Sequence, residues 1–387
     1  MNQIIYYSLT PQDAWFFRDG RPYNKTESNQ ADAMSQFPPS PRTIAGALRA
    51  ALARANGWEK GPTWDCSLNP VIGNGPDDLG ALKFTGPFLM KNRLPFYPAP
   101  LHLLGKTEEE NEEKTKEKIW NPITLLRPAN EKTLTDKGYI HLPETDGNLS
   151  VKGLKPAEKR WLSKTGYQYI LAGNLPGAED LKAADSLWKI ERRVGLQRNP
   201  STLQTEEGAL YSPAFVRLCK ETSLGFGLSM DATKMSAGFI AVLPALFPLG
   251  GESRLALCEE LDTVDILPSC PELTAGGNLV RFIVTALTPV PAQREENITA
   301  LLGIDGVVGV SACVGRPVFF GGWNSIKREP LPLEPFYPPG SVWFFEAPEA
   351  ALPQILALHG QWIGKKRLSA YGFGQVAIGC WPKKDNN

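Results

Sequence analysis

Proline and glycine interrupt this chain too often for it to fold on long helices. There are 34 prolines and 36 glycines in 387 residues, about half as much again as an average chain carries. Proline removes a backbone donor and clashes with the turn before it, and glycine favours turns. A helical bundle is therefore excluded, and strands joined by plentiful turns and irregular connections are expected. The length suits two domains, or one large domain with insertions. Hydrophobic residues make up 42% and charged residues 21%, the balance of a soluble globular protein rather than a disordered one. The 41 basic residues cancel the 41 acidic ones. No whole-protein field draws in nucleic acid, so any polyanion site must come from local segregation of charge.

Three histidines far apart in sequence (His102, His141, His359) leave little room for imidazole chemistry or a histidine metal cluster. Cys66, Cys219, Cys258, Cys270, Cys313 and Cys380 form no CxxC pair and read as reduced, mostly buried thiols. The start, MNQIIYYSLTPQDAWFF, lacks the features of a signal peptide, and the longest apolar run, GFIAVLPALFPLGG, is broken by Pro244 and Pro248. A cytoplasmic protein is expected, neither exported nor embedded in a membrane. There is no GxSxG, HExxH, Walker loop, kinase signature or paired Asp nuclease motif. Glu206, Glu207 and Glu252 have no catalytic spacing. No catalytic residue, metal or cofactor is assigned, and His359 reads as a helix-end charge.

A first strand is predicted at Gln3–Leu9. The clearest helix runs from Arg42 to Ala55, with Ser40 as cap, Pro41 in the first turn and Gly57 as terminator. Ile44, Ala45, Leu48, Ala51, Leu52 and Ala55 form its apolar face. KTEEENEEKTKEK, 106–118, carries six glutamates, four lysines and no apolar residue, and reads as a solvated loop or frayed helix within an insertion at about 105–185. Helical stretches are expected onward to about Lys189, then a protruding hairpin at about 190–211. Strands are predicted at LVRFIVTAL, around Val307–Phe320, at GSVWFFEA and at QVAIGCW, with a helix near Pro353–His359. This is an α+β pattern of two lobes, each an antiparallel sheet with helices on one face, residues 1–270 and 271–387.

Local charge is most uneven at the C-terminal end. From Ala350 to Lys384 there are five basic residues and no acidic one. Within GKKRLSAYGFGQV, Gly364, Gly372 and Gly374 allow close backbone approach, Lys365, Lys366 and Arg367 can meet phosphates, and Tyr371 and Phe373 offer ring faces for bases. The alternative is a glycine turn with solvated lysines. Arg42 and Arg49, seven residues apart on the first helix, could present guanidinium groups to phosphate or merely cover the helix rim. Arg18 and Arg21 flank a turn, and Arg192, Arg193 and Arg198 lie in the hairpin. Together these clusters imply a basic face in a neutral chain.

PQDAWFFRDGRPYN, FPPSPRTIAGALRAAL, IERRVGLQRNPSTLQTEEGALYS, LGGESRLA, FFGGWN with PPGSVWFFE, and AYGFGQV, in this order, resemble one family. It is the third subunit of the type III-B CRISPR effector, the Cmr complex, within the RAMP superfamily. The resemblance spans Pro11 to Val376 outside the insertion. It implies two ferredoxin-like, RRM-related lobes, and a glycine-rich loop that matches Gly364–Gly374. It also implies a non-catalytic subunit that grips the 5′ tag of the CRISPR RNA, meets target RNA only indirectly, and caps the assembly against the large polymerase/cyclase-like subunit and a backbone RAMP subunit. Ile190–Tyr211 would be a thumb that kinks the guide, and Gly250, Gly251 and Arg254 would face RNA or a neighbouring subunit. One alternative is a metal-independent RAMP-type processing endoribonuclease, which typically needs a histidine near the first helix; residues 1–101 contain none. A carbohydrate- or protein-binding module using the ten tryptophans is a third reading.

Overall fold

The computed structural model describes residues 3–19, 30–109, 118–136, 138–145, 149–198, 201–202, 205–262, 265–292, 298–324 and 326–383. The chain divides into two compact units. The first comprises Met1–Arg93, Asp185–Val264 and Phe319–Glu334, and the second Leu94–Ala184, Asp265–Val318 and Pro335–Asn387. Each draws on three separated stretches, where the sequence reading has two consecutive lobes meeting near 270.

In chain order the elements of the first unit are β1 (Ile5–Pro11), α1 (Pro41–Ala55), β2 (Leu82–Lys91), β3 (Trp188–Arg192), β4 (Thr205–Leu218), β5 (Thr222–Met230) and β6 (Leu255–Leu261). Those of the second are β7 (Leu279–Ala286), α2 (Ile298–Leu302), β8 (Val308–Cys313), β9 (Val342–Pro348), α3 (Leu352–Ala357), α4 (Lys366–Tyr371) and β10 (Val376–Cys380).

The first unit's main sheet has the order β2-β5-β1-β6, antiparallel throughout. Tyr7 lies opposite Phe226, and their rings stack at 5.2 Å. Helix α1 packs on β2, burying Ile44, Ala45, Leu48, Ala51 and Leu52. It begins as its sequence predicts: the Arg42 amide donates to Ser40 Oγ at 3.2 Å and Pro41 fills the first turn. The C-cap is Asn56, whose amide side chain donates to Leu52 O, and Gly57 follows at φ 90°. Strands β3 and β4 form the predicted hairpin, with Trp188 opposite Leu218 and Arg192 opposite Ala214. It continues through Gly195–Arg198, which pairs with β4 across a register shift.

The second unit's sheet has the order β8-β9-β7-β10, again antiparallel. Counted along the chain, both four-strand sets are therefore ordered second, third, first, fourth. Phe282, Val284, Phe345, Val376 and Ile378 face one side with Ile355 of α3 and Leu302 of α2. Ile283, Cys313, Val342 and Phe344 face the other, under Leu101, Leu126 and Trp381. A sheet covered on both faces explains why LVRFIVTAL and GSVWFFEA read as unbroken apolar runs.

The insertion departs from expectation. Residues 110–117 lie outside the described residues, but the flanking Leu103–Glu109 and Lys118–Leu125 form an antiparallel hairpin rather than a loop or frayed helix. Gly105 has no side chain because one would overlap the Trp120 ring, 2.6 Å from a Cβ there. Among the described residues from there to Lys189, the helices are Lys164–Leu171 and the short turns Ala178–Asp180 and Ala184–Leu187. The other regular elements there are short strands, as Pro122, Pro128, Gly138 and Pro143 dictate.

Two histidines of the second unit are withdrawn from solvent, His102 wholly and His359 in part. His359 lies beyond α3, not as a charged helix end: its Nδ1 accepts from the Ile378 amide at 3.1 Å and its Nε2 donates to Pro268 O at 2.7 Å. Burial lowers its pKa. His102 is fully buried, edge-on to Phe344 at 6.0 Å, and neither ring nitrogen has a partner among the described residues. Burial pushes its pKa down to about 3. The unfolded chain thus takes up a proton at His102 near pH 6.5 while the native state does not, and stability falls as pH drops. For His102 alone the expected loss between pH 7 and pH 5 is about 2 kcal/mol. Urea midpoints across that range should show it, and His102→Leu should flatten the dependence; an equal slope in the variant would exclude His102 as its source.

Candidate nucleic-acid interface

Two of the three α1 arginines, Arg42 and Arg49, are consumed inside the first unit. Arg49 is buried, and its guanidinium donates from Nε to Ile72 O at 2.6 Å, from Nη1 to Gly75 O at 2.8 Å and from Nη2 to Asp78 O at 3.0 Å. It also lies over the Trp64 ring at 5.0 Å. Arg49 is thus a clamp on the 72–78 loop, and the expectation that it reaches phosphate is corrected. Arg42 is nearly covered, paired with the Glu334 carboxylate and donating to Gly321 O at 3.2 Å. Helical spacing placed both on one edge, but spacing cannot tell a carbonyl from a phosphate as the acceptor.

Arg18 is exposed, bridged through its backbone to Ser35. Arg21 lies outside the described residues, as does the side chain of Arg198. Arg192 is exposed, its Nη2 3.8 Å from Met34 Sδ. Arg193 instead enters an ion-pair cluster that the sequence did not reveal. Its Nη2 meets Asp13 Oδ2 at 2.8 Å and its Nε meets Glu191 Oε1 at 2.7 Å. Arg217 meets Asp13 Oδ1 at 2.8 Å and Glu191 Oε2 at 2.5 Å, and Arg254 meets Asp13 Oδ2 at 3.2 Å. Arg193 and Arg254 also lie over the Phe215 ring, at 4.8 and 4.5 Å. Hydrogen bonds from Arg193 and then Arg217 hold the Asp13 carboxyl below its usual pKa, and Arg217 and then Arg193 do so for Glu191. A signal existed in the spacing of two: Phe215 and Arg217 share a face of β4, and Arg193 lies two residues beyond Glu191, one past the end of the neighbouring strand β3.

Arg254 ends the GGESR turn. Leu249 N–H donates to Arg254 O at 2.8 Å, closing a tight turn in which Glu252 and Ser253 have φ 57° and 52°. Gly250, at φ 82°, lies against Phe16: a Cβ there would sit 2.5 Å from Phe16 O, while Gly251 N–H donates to that same carbonyl at 2.8 Å.

In the second unit, the GKKRLSAYGFGQV segment contains helix α4, not an open loop. Lys365, Lys366 and Arg367 are exposed at its start. Gly372 ends it at φ 102°, and the chain folds under, so that Phe373 is fully buried and stacked on Phe336 at 4.6 Å. Tyr371 is buried too. Neither ring offers a face to a base, which corrects that expectation. The backbone amides are also engaged, Gly372 to Ser369 O at 2.9 Å and Gly374 to Pro289 O at 2.8 Å. Gly364, at φ 100°, lies beside Pro291. What this segment presents outward is its three cations. Among the described residues, no group of three or more His, Cys, Asp or Glu is placed to hold a metal.

The sequence profile of the CRISPR-associated protein family Cas_Cmr3 matches residues 7–381. This chain belongs to that family. It is a RAMP-type subunit of the Cmr class. Its fold is similar to a chain in the cryo-EM structure of the Type III-B Cmr-beta bound to cognate target RNA, with 16% identity over 96% of each chain and a TM-score of 0.51. A chain of Cmr-beta bound to cognate target RNA and AMPPnP, state 1, is 15% identical over 88% of this chain and 86% of that one, with a TM-score of 0.48. A chain of the Csm1-Csm4 cassette in complex with pppApA is 13% identical over the same shares, with a TM-score of 0.33. No curated protein matches. No helix among the described residues is long and apolar enough to cross a membrane.

Two positions that resemble binding residues should instead prove structural. Arg49→Met strands three carbonyls in the loop it clamps and should cost about 3 kcal/mol or more. In Gly374→Val a Cβ would stand 2.2 Å from Ile363 O at φ 83°, so a comparable loss is expected. Urea unfolding measures both; a loss below about 1 kcal/mol for either would remove it from the structural set.

Proposed function

We propose that this Cas_Cmr3 family member is a non-catalytic RNA-binding subunit of a type III-B CRISPR interference complex. It grips the 5′ tag of the CRISPR RNA and caps the assembly against the large polymerase/cyclase-like subunit and a backbone RAMP subunit. Each four-strand sheet is read as a ferredoxin-like, RRM-related lobe, and the shared strand order, second-third-first-fourth with a helix after the first strand, supports this. The observation that carries the RNA reading is the exposed trio Lys365, Lys366 and Arg367 at the head of α4, in a stretch with no acidic residue from Ala350 to Lys384. Arg18 and Arg192, exposed in the first unit, are the further candidates. A thumb role for the β3–β4 hairpin and a cytoplasmic location belong to the same reading.

The non-catalytic part is supported by the state of the histidines. His102 is sealed in the core, His359 has both ring nitrogens on backbone groups, and His141 has Nδ1 on Ala129 O at 2.8 Å. A nuclease of the alternative kind needs a ring open to substrate.

Replacing Lys365, Lys366 and Arg367 together by Ala should weaken binding of tag RNA and lower the slope of log affinity against log salt by roughly 0.7 per lost contact. The thermal midpoint should stay nearly fixed, because exposed charges contribute little to stability. Unchanged affinity and slope in the folded variant would remove this segment from the RNA site.

A further inference from the structure

Among the described residues, the ion-pair cluster at the base of the β3–β4 hairpin holds three guanidinium groups and two carboxylates. Asp13 and Glu191 share Arg193 and Arg217, and Asp13 also takes Arg254. One positive charge is left over, which is the charge of one phosphodiester with the sign reversed. We propose that Asp13 and Glu191 are built-in competitors of RNA phosphate. They occupy these arginines in the free chain, and a phosphodiester of single-stranded RNA displaces Asp13 from Arg193 and Arg217. This rests on the RNA-binding reading above and adds its regulation.

The geometry favours exchange over permanent locking. The Asp13 and Arg217 side chains are 43% and 45% exposed, so a ligand can reach the pair. Exposed ion pairs are individually weak, and the two non-bridging oxygens of a phosphodiester can take a bidentate guanidinium while each keeps a lone pair for a second one. The arginines have anchors besides Asp13: Arg193 and Arg254 both lie over the Phe215 ring, at 4.8 and 4.5 Å, and Glu191 also holds Arg193 and Arg217. Nor does Asp13 exhaust them: it receives a single bond from Arg254, whose Nε has no acceptor among the described residues. Asp13 lies beyond the end of β1, at a bend, where a carboxylate can swing away while the strand ladder stays intact.

The test compares the full chain with Asp13→Asn, Glu191→Gln, Arg217→Gln and the charge control Glu349→Gln, an exposed acid in the second unit. Anisotropy of a short fluorescent single-stranded RNA is followed across a salt series, with the thermal midpoint of each variant. Asp13→Asn should bind RNA several-fold more tightly at low salt, with a steeper salt slope, Glu191→Gln should gain less, Arg217→Gln should lose affinity, and Glu349→Gln should change little. A folded Asp13→Asn with equal or weaker affinity overturns the proposal and leaves the cluster a fastener, as does an equal gain in Glu349→Gln. If Asp13→Asn fails to fold, Glu191→Gln carries the test. If neither folds, the carboxylates are indispensable and displacement by phosphate is excluded. Failure of the underlying reading looks different: the wild-type chain then shows no salt-dependent RNA binding at all. Loss in Arg217→Gln without gain in Asp13→Asn sinks only the competition.

Discussion

β1 is a central strand whose two neighbours come from the far end of its lobe. Ile5–Pro11 pairs with Thr222–Met230 on one edge and Leu255–Leu261 on the other, so the sheet cannot close until about two-thirds of the chain is available. Loop-closure entropy grows only with the logarithm of loop length. Long excursions between paired strands are therefore tolerated thermodynamically, while such non-local pairing slows folding. Both sheets use this freedom at the same place. The first makes its long excursion between its second and third strands, residues 92–221, and there carries the insertion and the β3–β4 hairpin. The second does so at 314–341, and there carries the hairpin of Val318–Asn324 and Glu329–Tyr337.

The second sheet shows what part of the first excursion does. Short helices cover one face of β7-β9, and the other face would be bare Ile283, Val342 and Phe344 without Leu101, His102 and Leu126. Burying a histidine there without a partner is costly, yet an edge-on ring against Phe344 fills the space as an apolar group would. The charged run at 106–118 looked like an appendage because its composition is polar. Its hairpin is anchored by Trp120, whose ring occupies the place of a side chain at Gly105.

Elements dominated by local rules were legible in the sequence. The cap, first-turn proline and apolar face of α1 are all local, and so are the alternating or continuous apolar runs of β7, β9 and β10. The partners of arginines were not legible, because a guanidinium serves a ring of carbonyls as well as a phosphate. Arg49 meets residues 23 to 29 positions away, and Asp13 meets arginines 180 or more positions on. The aromatic residues of AYGFGQV misled for a related reason. A glycine in the left-handed region reverses the chain, and nothing local says whether the next ring then faces solvent or core; with Phe336 waiting at 4.6 Å, it faces core.

The two glycine turns, one expected to face RNA or a neighbouring subunit and the other to face RNA, occupy equivalent places, each directly before the fourth strand of its sheet. Gly250–Arg254 precedes β6 and Gly364–Gly374 precedes β10. In each, a glycine at positive φ packs against backbone, Phe16 O in one and Ile363 O in the other. The repeated position means that the glycines answer a demand of the strand order, the need to re-enter the sheet edge beside the first strand. What differs between the turns is the charged side chain each supports: Arg254 turned inward to Asp13, and Lys365, Lys366 and Arg367 turned outward. On the RNA-binding reading proposed above, recognition rests on the cations hung on the turns and on the acids that neutralise some of them. Substituting the glycines would change the turn before it could report on any ligand.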